Sequence, residues 1–247
     1  MDPFGELRSK CHEPASVEAF AELMRFLERL CEDQPAKSRD EYLPYVMGVL
    51  EHWPDETRLV PRRLKYAFLG NQSEVKAEMV ALGRAFAIKH FKLTIPQLER
   101  LLASKALPSL TQLELSFCEL RDRHIELLAG AETNLTTLDL GSNKLGPEGI
   151  QHLLSSNLRE QLVTLRLWQN SLYDDGIEPL TTSTWPKLEH LDLLSTDCAD
   201  RGADALSANL DRFPSLETLT ISYNNLSLAA VDRLRAAAAV RGLEAEI

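Results

Sequence analysis

The sequence contains nothing close to the roughly 18 consecutive apolar residues that cross a bilayer, and its opening MDPFGELRSK lacks the apolar core of a secretory signal. A soluble, cytoplasmic chain is therefore expected. Cysteine is scarce: Cys11, Cys31, Cys118 and Cys198 lie far apart, with no Cys-x-x-Cys pair and no companion histidines at zinc-ligand spacing. Reduced thiols and no metal site are expected. Basic residues number 27 against 37 acidic ones, and the resulting net charge of −10 opposes extended binding to nucleic-acid phosphates or to an anionic membrane surface. Catalytic signatures are missing as well: there is no Gly-rich phosphate loop, no Gly-x-Ser-x-Gly and no His-Glu-x-x-His, and the six histidines are scattered. No enzyme activity and no cofactor are expected.

What the chain does have is leucine, in a recurring frame. Aligned segments read LTQLELSFCEL from Leu110, LTTLDLGSNKL from Leu135, LVTLRLWQNSL from Leu162, LEHLDLLSTDC from Leu188 and LETLTISYNNL from Leu216. Starts 25 to 28 residues apart mark a solenoid, in which each unit is one supersecondary element stacked on its neighbours. Period-two leucines such as Leu138 and Leu140 predict a short strand with one face inward. Helical halves follow in GPEGIQHLL, DDGIEPL, DRGADALSANL and LAAVDRLRAA, with Gly149, Gly176, Gly202 and Ala230 at equivalent places, small enough for close helix packing.

The frame L-x-x-L-x-L-x-x-N/C-x-L resembles the leucine-rich repeat, and the helix in every unit resembles the ribonuclease-inhibitor-like subclass. That resemblance implies an α/β solenoid, a horseshoe with parallel strands on the concave face and helices on the convex face. It also implies that Asn143, Asn170 and Asn224 bond turn backbone, with Cys118 as the permitted substitute. The segment Thr196-Asp197-Cys198 departs from the pattern and predicts a looser turn. The frame extends back to FAIKHFKLTIPQLERLL from Phe86 and forward to a closing strand in GLEAEI, so a repeat domain is expected over 86–247.

Residues 1–85 read as an α-helical N-terminal cap or module. SVEAFAELMRFLERLCE places Phe20, Met24, Phe26, Leu27 and Leu30 on one helical face. Further helices are predicted in SRDEYLPYVMGVLEHW, with Pro44 interrupting its start, in PRRLKYAFLG, and in SEVKAEMVALGRAF. A cap has a physical reason to exist, because the first strand of an open solenoid exposes unpaired backbone. The run RLVPRRLKY reads as a solvated basic face of Arg58, Arg62, Arg63 and Lys65.

Residues between the inward leucines form columns across neighbouring strands. One column is Glu114, Asp139, Arg166, Asp192 and Thr220; another is Ser116, Gly141, Trp168, Leu194 and Ser222. Phe117, Ser142, Gln169, Ser195 and Tyr223 make a third, and Gln112, Thr137, Thr164, His190 and Thr218 a fourth. Arg166 is expected between Asp139 and Asp192, whereas Glu114 beside Asp139 sets two carboxylates together and is expected to await a positive ligand. Trp168, Leu194 and Tyr223 read as exposed apolar area suited to a binding hot spot. His190 and Asp192 share a strand face, a spacing more common among surface residues than in catalytic pairs.

The expected function is a non-catalytic interaction module that binds another protein on its concave face through Glu114, Phe117, Asp139, Arg166, Trp168, His190, Asp192, Leu194 and Tyr223. Two alternatives remain open: a regulator of a small GTPase, since Ran GTPase-activating proteins resemble this repeat class, and an adaptor recruiting through the N-terminal helices. The sequence leaves the oligomeric state open.

Overall fold

The computed structural model describes residues 2–70 and 78–247, apart from the side chains of residues 67 and 68. The chain divides into two compact units, Met1–Ala87 with Glu99–Gln112, and Ile88–Leu98 with Leu113–Ile247.

The first unit is mainly helical. Val17–Asp33 is capped by the Ser16 hydroxyl, which accepts from the Ala19 N–H at 3.0 Å, and Phe20, Met24, Phe26, Leu27 and Leu30 are all buried on one face as the periodicity predicts. A helix over Pro3–Cys11 was not expected, although Asp2 followed by proline is a good start signal: its carboxylate accepts from the Phe4 N–H at 2.9 Å. Before Leu43–Leu50 the chain makes a π-helical turn over Ser38–Tyr42, next to Pro44, which has no N–H to donate. PRRLKYAFLG forms Arg62–Gly70. The helix expected in SEVKAEMVALGRAF lies outside the described residues at 73–77; Glu78–Val80 are helical, and Ala85–Ala87 is strand β1.

The expected basic face is corrected at two of its four positions. Arg58 is buried, and its guanidinium donates to the carbonyls of Leu82 (2.9 and 2.6 Å) and Leu50 (3.1 Å); Lys65 is buried and donates to the Ala87 carbonyl. These cations replace backbone partners that the loops around them do not supply, and burial holds the Arg58 pKa down at about 10. Arg62 and Arg63 are exposed.

In the second unit strands and helices alternate. After β2 (Gln112–Glu114) come β3 (Thr137–Asp139), β4 (Thr164–Arg166), β5 (His190–Asp192), β6 (Thr218–Thr220) and β7 (Glu244–Glu246), which lie side by side in sequence order. From β3 to β7 the pairings are parallel and in the frame the leucines predict: Leu138 pairs with Leu165, Leu165 with Leu191, Leu191 with Leu219 and Leu219 with Ala245, so GLEAEI is indeed a closing strand. Helices Asp122–Ala129, Pro147–Leu154, Tyr173–Leu180, Asp200–Ala208 and Leu228–Arg241 return the chain between strands, each packed on the next. Leu138, Leu140, Leu165, Leu167, Leu191, Leu193, Leu219 and Ile221 are all at most 2% exposed and form one continuous core.

Two side-chain ladders hold the repeats in register. On the turns, the Asn143 amide donates to the carbonyls of Leu115 (2.9 Å) and Leu140 (2.7 Å) while its oxygen accepts from the N–H groups of Cys118 and Leu120. Asn170 bonds Leu140, Leu167 and Leu145 in the same way. Asn224 accepts from the N–H groups of Thr196 (2.9 Å) and Cys198 (3.0 Å), and the buried Thr196 hydroxyl donates to Leu193. The turn at Thr196 is therefore tight, contrary to expectation, because the Thr196 hydroxyl makes the bond to the carbonyl three residues back that asparagine makes in the other repeats, and Asn224 serves this turn as Asn143 serves the one at Cys118.

The helix side has a ladder of aspartates. Asp122 accepts from the Gly146 N–H, Asp174 from those of Ala199 and Gly202, and Asp200 from that of Ser227, each reaching the helix start of the following repeat. This gives Gly149 and Gly202 a sharper role than close packing. A Cβ at Gly149 would stand 2.6 Å from the Asp122 carboxylate, and one at Gly202 would stand 2.8 Å from that of Asp174. No helix among the described residues is long and apolar enough to cross a membrane.

Candidate functional site on the strand face

The outward column before each asparagine has left-handed backbone at His90, Phe117, Ser142, Gln169, Ser195 and Tyr223, with φ between 49° and 58°. L-residues pay for this conformation, and it persists here because the neighbouring turn is fixed by the asparagine ladder. The conformation leaves Phe117 and Tyr223 exposed, Tyr223 at 83%.

Gly141 decides what happens between those side chains. It sits just after β3, between the strands that carry Phe117 and Trp168, and a Cβ there would lie 2.0 Å from the indole of Trp168. Without one, the indole lies over the β3 backbone and meets Phe117 edge-on, with ring centroids 5.3 Å apart at 67°. His90 stacks on the other side of Phe117 at 4.3 Å and 23°. The result is a row of three rings across the strand face. Sequence reasoning placed Phe117 and Trp168 in different columns and missed His90 altogether, although His90 precedes Phe117 by one repeat period.

Trp168 and Leu194 are half-buried, not exposed as expected; at Trp168 the glycine lets the indole lean onto its own scaffold. Tyr223 makes no ring contact among the described residues.

The charged column follows the expected register, with Arg166 paired across to Asp139 and to Asp192. Arg166 forms no ion pair within 4.0 Å among the described residues, yet its charge favours the ionised form of both acids. Burial dominates at both acids and pushes both carboxyls above the usual 3.8, against the N–H groups of Gly141 and Leu194, which donate to Asp139 and Asp192 at 2.9 and 3.0 Å. These two carboxylates brace their own strand ends. The expectation that Glu114 awaits an external cation is overturned, since Lys89 lies 3.1 Å from its carboxylate and Asp139 is only 5% exposed.

Towards the other end of the face, His190 is half-buried, with Nδ1 2.8 Å from the Thr218 hydroxyl. Glu189, His190 and Glu217 bring ligand-capable atoms within 4.8 Å of one another. The four cysteines are buried and free, and burial raises the thiol pKa of Cys118 to about 11 and of Cys198 to about 12, so neither is a reactive thiolate at neutral pH.

The sequence comparison agrees with this geometry: a family model described as Leucine Rich repeat matches residues 131–154. Residues 113–247 fold as a leucine-rich-repeat solenoid. Among solved structures, a chain described as "Crystal structure of Rad7 and Elc1 complex in yeast" is similar at 16% identity with a TM-score of 0.47. The match covers 78% of the present chain and 57% of that one, so the present chain spans little more than half the length of that neighbour. No curated protein matches the chain.

Proposed function

We propose that this leucine-rich-repeat chain is a non-catalytic interaction module whose strand face binds another protein. The observation that carries the reading is the row His90, Phe117 and Trp168, held by Gly141 and continued along the face by the exposed Tyr223. Preordered aromatic rings offer large contact area with few rotamers left to freeze on binding, the property expected of an interface anchor. Arg166, at the centre of the face and without a close ion pair among the described residues, offers a charged contact beside them. Helices of eight, eight, eight and nine residues in four successive repeats support the ribonuclease-inhibitor-like subclass. Buried, unpaired thiols suit a cytoplasmic location.

The test is site-specific crosslinking in the native cell. A photoreactive residue at Tyr223 or Ser142 on the strand face is expected to capture one protein that the same probe at Gln151, exposed on a helix, does not. Tyr223→Ala should then weaken that partner by about 2 kcal/mol in titration calorimetry without changing the melting temperature. Capture from the helix position alone would move the site off the strands.

A further inference from the structure

We propose that Glu189, His190 and Glu217 form a binding site for a zinc-class divalent transition-metal ion on the strand face. Glu189 precedes β5 and Glu217 precedes β6, so the register that pairs His190 with Thr218 also sets the two glutamates beside each other. Like charges in adjacent register positions are destabilising unless a cation lies between them. Elsewhere on the face the chain supplies that cation itself, as Lys89 does for Glu114. Here no lysine, arginine or histidine comes within 4.0 Å of either carboxylate among the described residues. Yet a ring nitrogen of His190 and one oxygen of each glutamate gather within 4.8 Å.

The imidazole separates this group from an ordinary acidic patch. The Thr218 hydroxyl lies 2.8 Å from Nδ1, and with the proton on Nδ1 this bond holds the ring and leaves the lone pair on Nε2 for a metal. Nitrogen–metal and oxygen–metal distances of about 2.0–2.2 Å require the three donors to close in by small side-chain rotations, which half-exposed glutamates permit. One imidazole with two carboxylates suits zinc rather than calcium or magnesium, whose sites are built from oxygen alone. Three protein ligands leave a coordination position open to water or to a donor from a bound partner. Sequence reading expected no metal because the cysteines and histidines show no zinc-ligand spacing; His190 and Glu217 are a whole repeat apart, and only the parallel register brings them together.

The experiment uses the full chain after chelator treatment, titrated with Zn²⁺ by calorimetry and with Co²⁺ by visible absorption. One Zn²⁺ per chain is expected, not displaced by a hundredfold excess of Ca²⁺. His190→Ala and Glu217→Gln should each weaken binding at least tenfold, and Thr218→Val about tenfold through loss of ring orientation. His152→Ala, on the helix side, should bind like the parent. Glu217 is exposed, so its variant reports on the site even if His190→Ala perturbs the strand. The proposal is overturned if the parent binds no Zn²⁺, if both ligand variants bind like the parent, or if the Co²⁺ spectrum carries thiolate charge-transfer bands that place the ion on cysteine.

Discussion

Replacing Asn170 by alanine tests whether the asparagine ladder holds the solenoid together. Asn170 is 2% exposed, so water does not take over its bonds. Its amide donates to the carbonyls of Leu140 (3.0 Å) and Leu167 (2.9 Å), and its oxygen accepts from the Leu145 N–H at 3.1 Å. Truncation therefore orphans the Leu167 carbonyl and the Leu145 N–H in the interior, while the Leu140 carbonyl keeps the Asn143 amide at 2.7 Å. At about 1 kcal/mol each, the lower end of the cost of an unsatisfied buried group, Asn170→Ala should lose about 2 kcal/mol of stability. Urea unfolding followed by far-UV circular dichroism and tryptophan fluorescence measures this, provided the slope with urea is unchanged. Asn170→Asp keeps the acceptor but turns a carboxylate oxygen towards two carbonyls, and should cost at least as much at neutral pH. Ser171→Ala, next in the chain and exposed, should cost less than about 0.5 kcal/mol. A loss below about 1 kcal/mol for Asn170→Ala would refute the ladder as a source of stability.

Other predictions follow from the same packing. Gly141→Ala forces the indole of Trp168 off the β3 backbone and should cost about 1–3 kcal/mol, whereas in a Trp168→Ala background the same change should be nearly neutral; a thermodynamic cycle that comes out additive would contradict the glycine's role. Leu140→Asp buries a carboxylate among leucines and should abolish the cooperative unfolding of the repeats, seen by circular dichroism; a parental melting temperature would place Leu140 outside the core. The carboxyls of Asp139 and Asp192 are raised above 3.8 by burial, so the folded chain holds protons that the unfolded chain has released, and their contribution to stability falls as pH rises through that window. Asp139→Asn keeps an acceptor for the Gly141 N–H without the buried charge, and should melt higher than the parent at pH 7 but not at pH 3; the reverse order would contradict the burial argument.

The fold was legible because its signal is one-dimensional. Leucines at fixed offsets determine the strand, the inward face and, through the repeat length, the neighbour each strand pairs with, so the pairing of Asp139 with Arg166 and of Arg166 with Asp192 followed from counting. Features set by two repeats together were not legible. The Thr196 turn looks defective in the frame, yet its hydroxyl bonds Leu193 in place of asparagine while Asn224 of the next repeat bonds Thr196 and Cys198. Trp168 looks exposed by its place in the frame and is half-buried because Gly141 leaves room beside it. Lys89 neutralises Glu114 from one repeat back, which a column of outward residues does not reveal unless it is extended to the weakest member of the frame. Outside the repeats, Arg58 shows the limit of reading charge as exposure, since a buried guanidinium that satisfies three carbonyl bonds has the same sequence appearance as a solvated one.

The two ladders and the aromatic row are linked by a conformational argument. The residues that carry Phe117 and Tyr223 outward are in left-handed backbone, unfavourable for a non-glycine residue by roughly 1–2 kcal/mol. Asparagine bonds the backbone beside each: Asn143 accepts from the Cys118 N–H just after Phe117, and the Asn224 amide donates to the Ile221 carbonyl just before Tyr223. Relaxing the backbone would break those bonds, so the ladder that stabilises the solenoid also fixes the direction of its outward side chains. A partner binding to rings held in this way does not have to order the loop beneath them, and more of the contact energy appears as affinity.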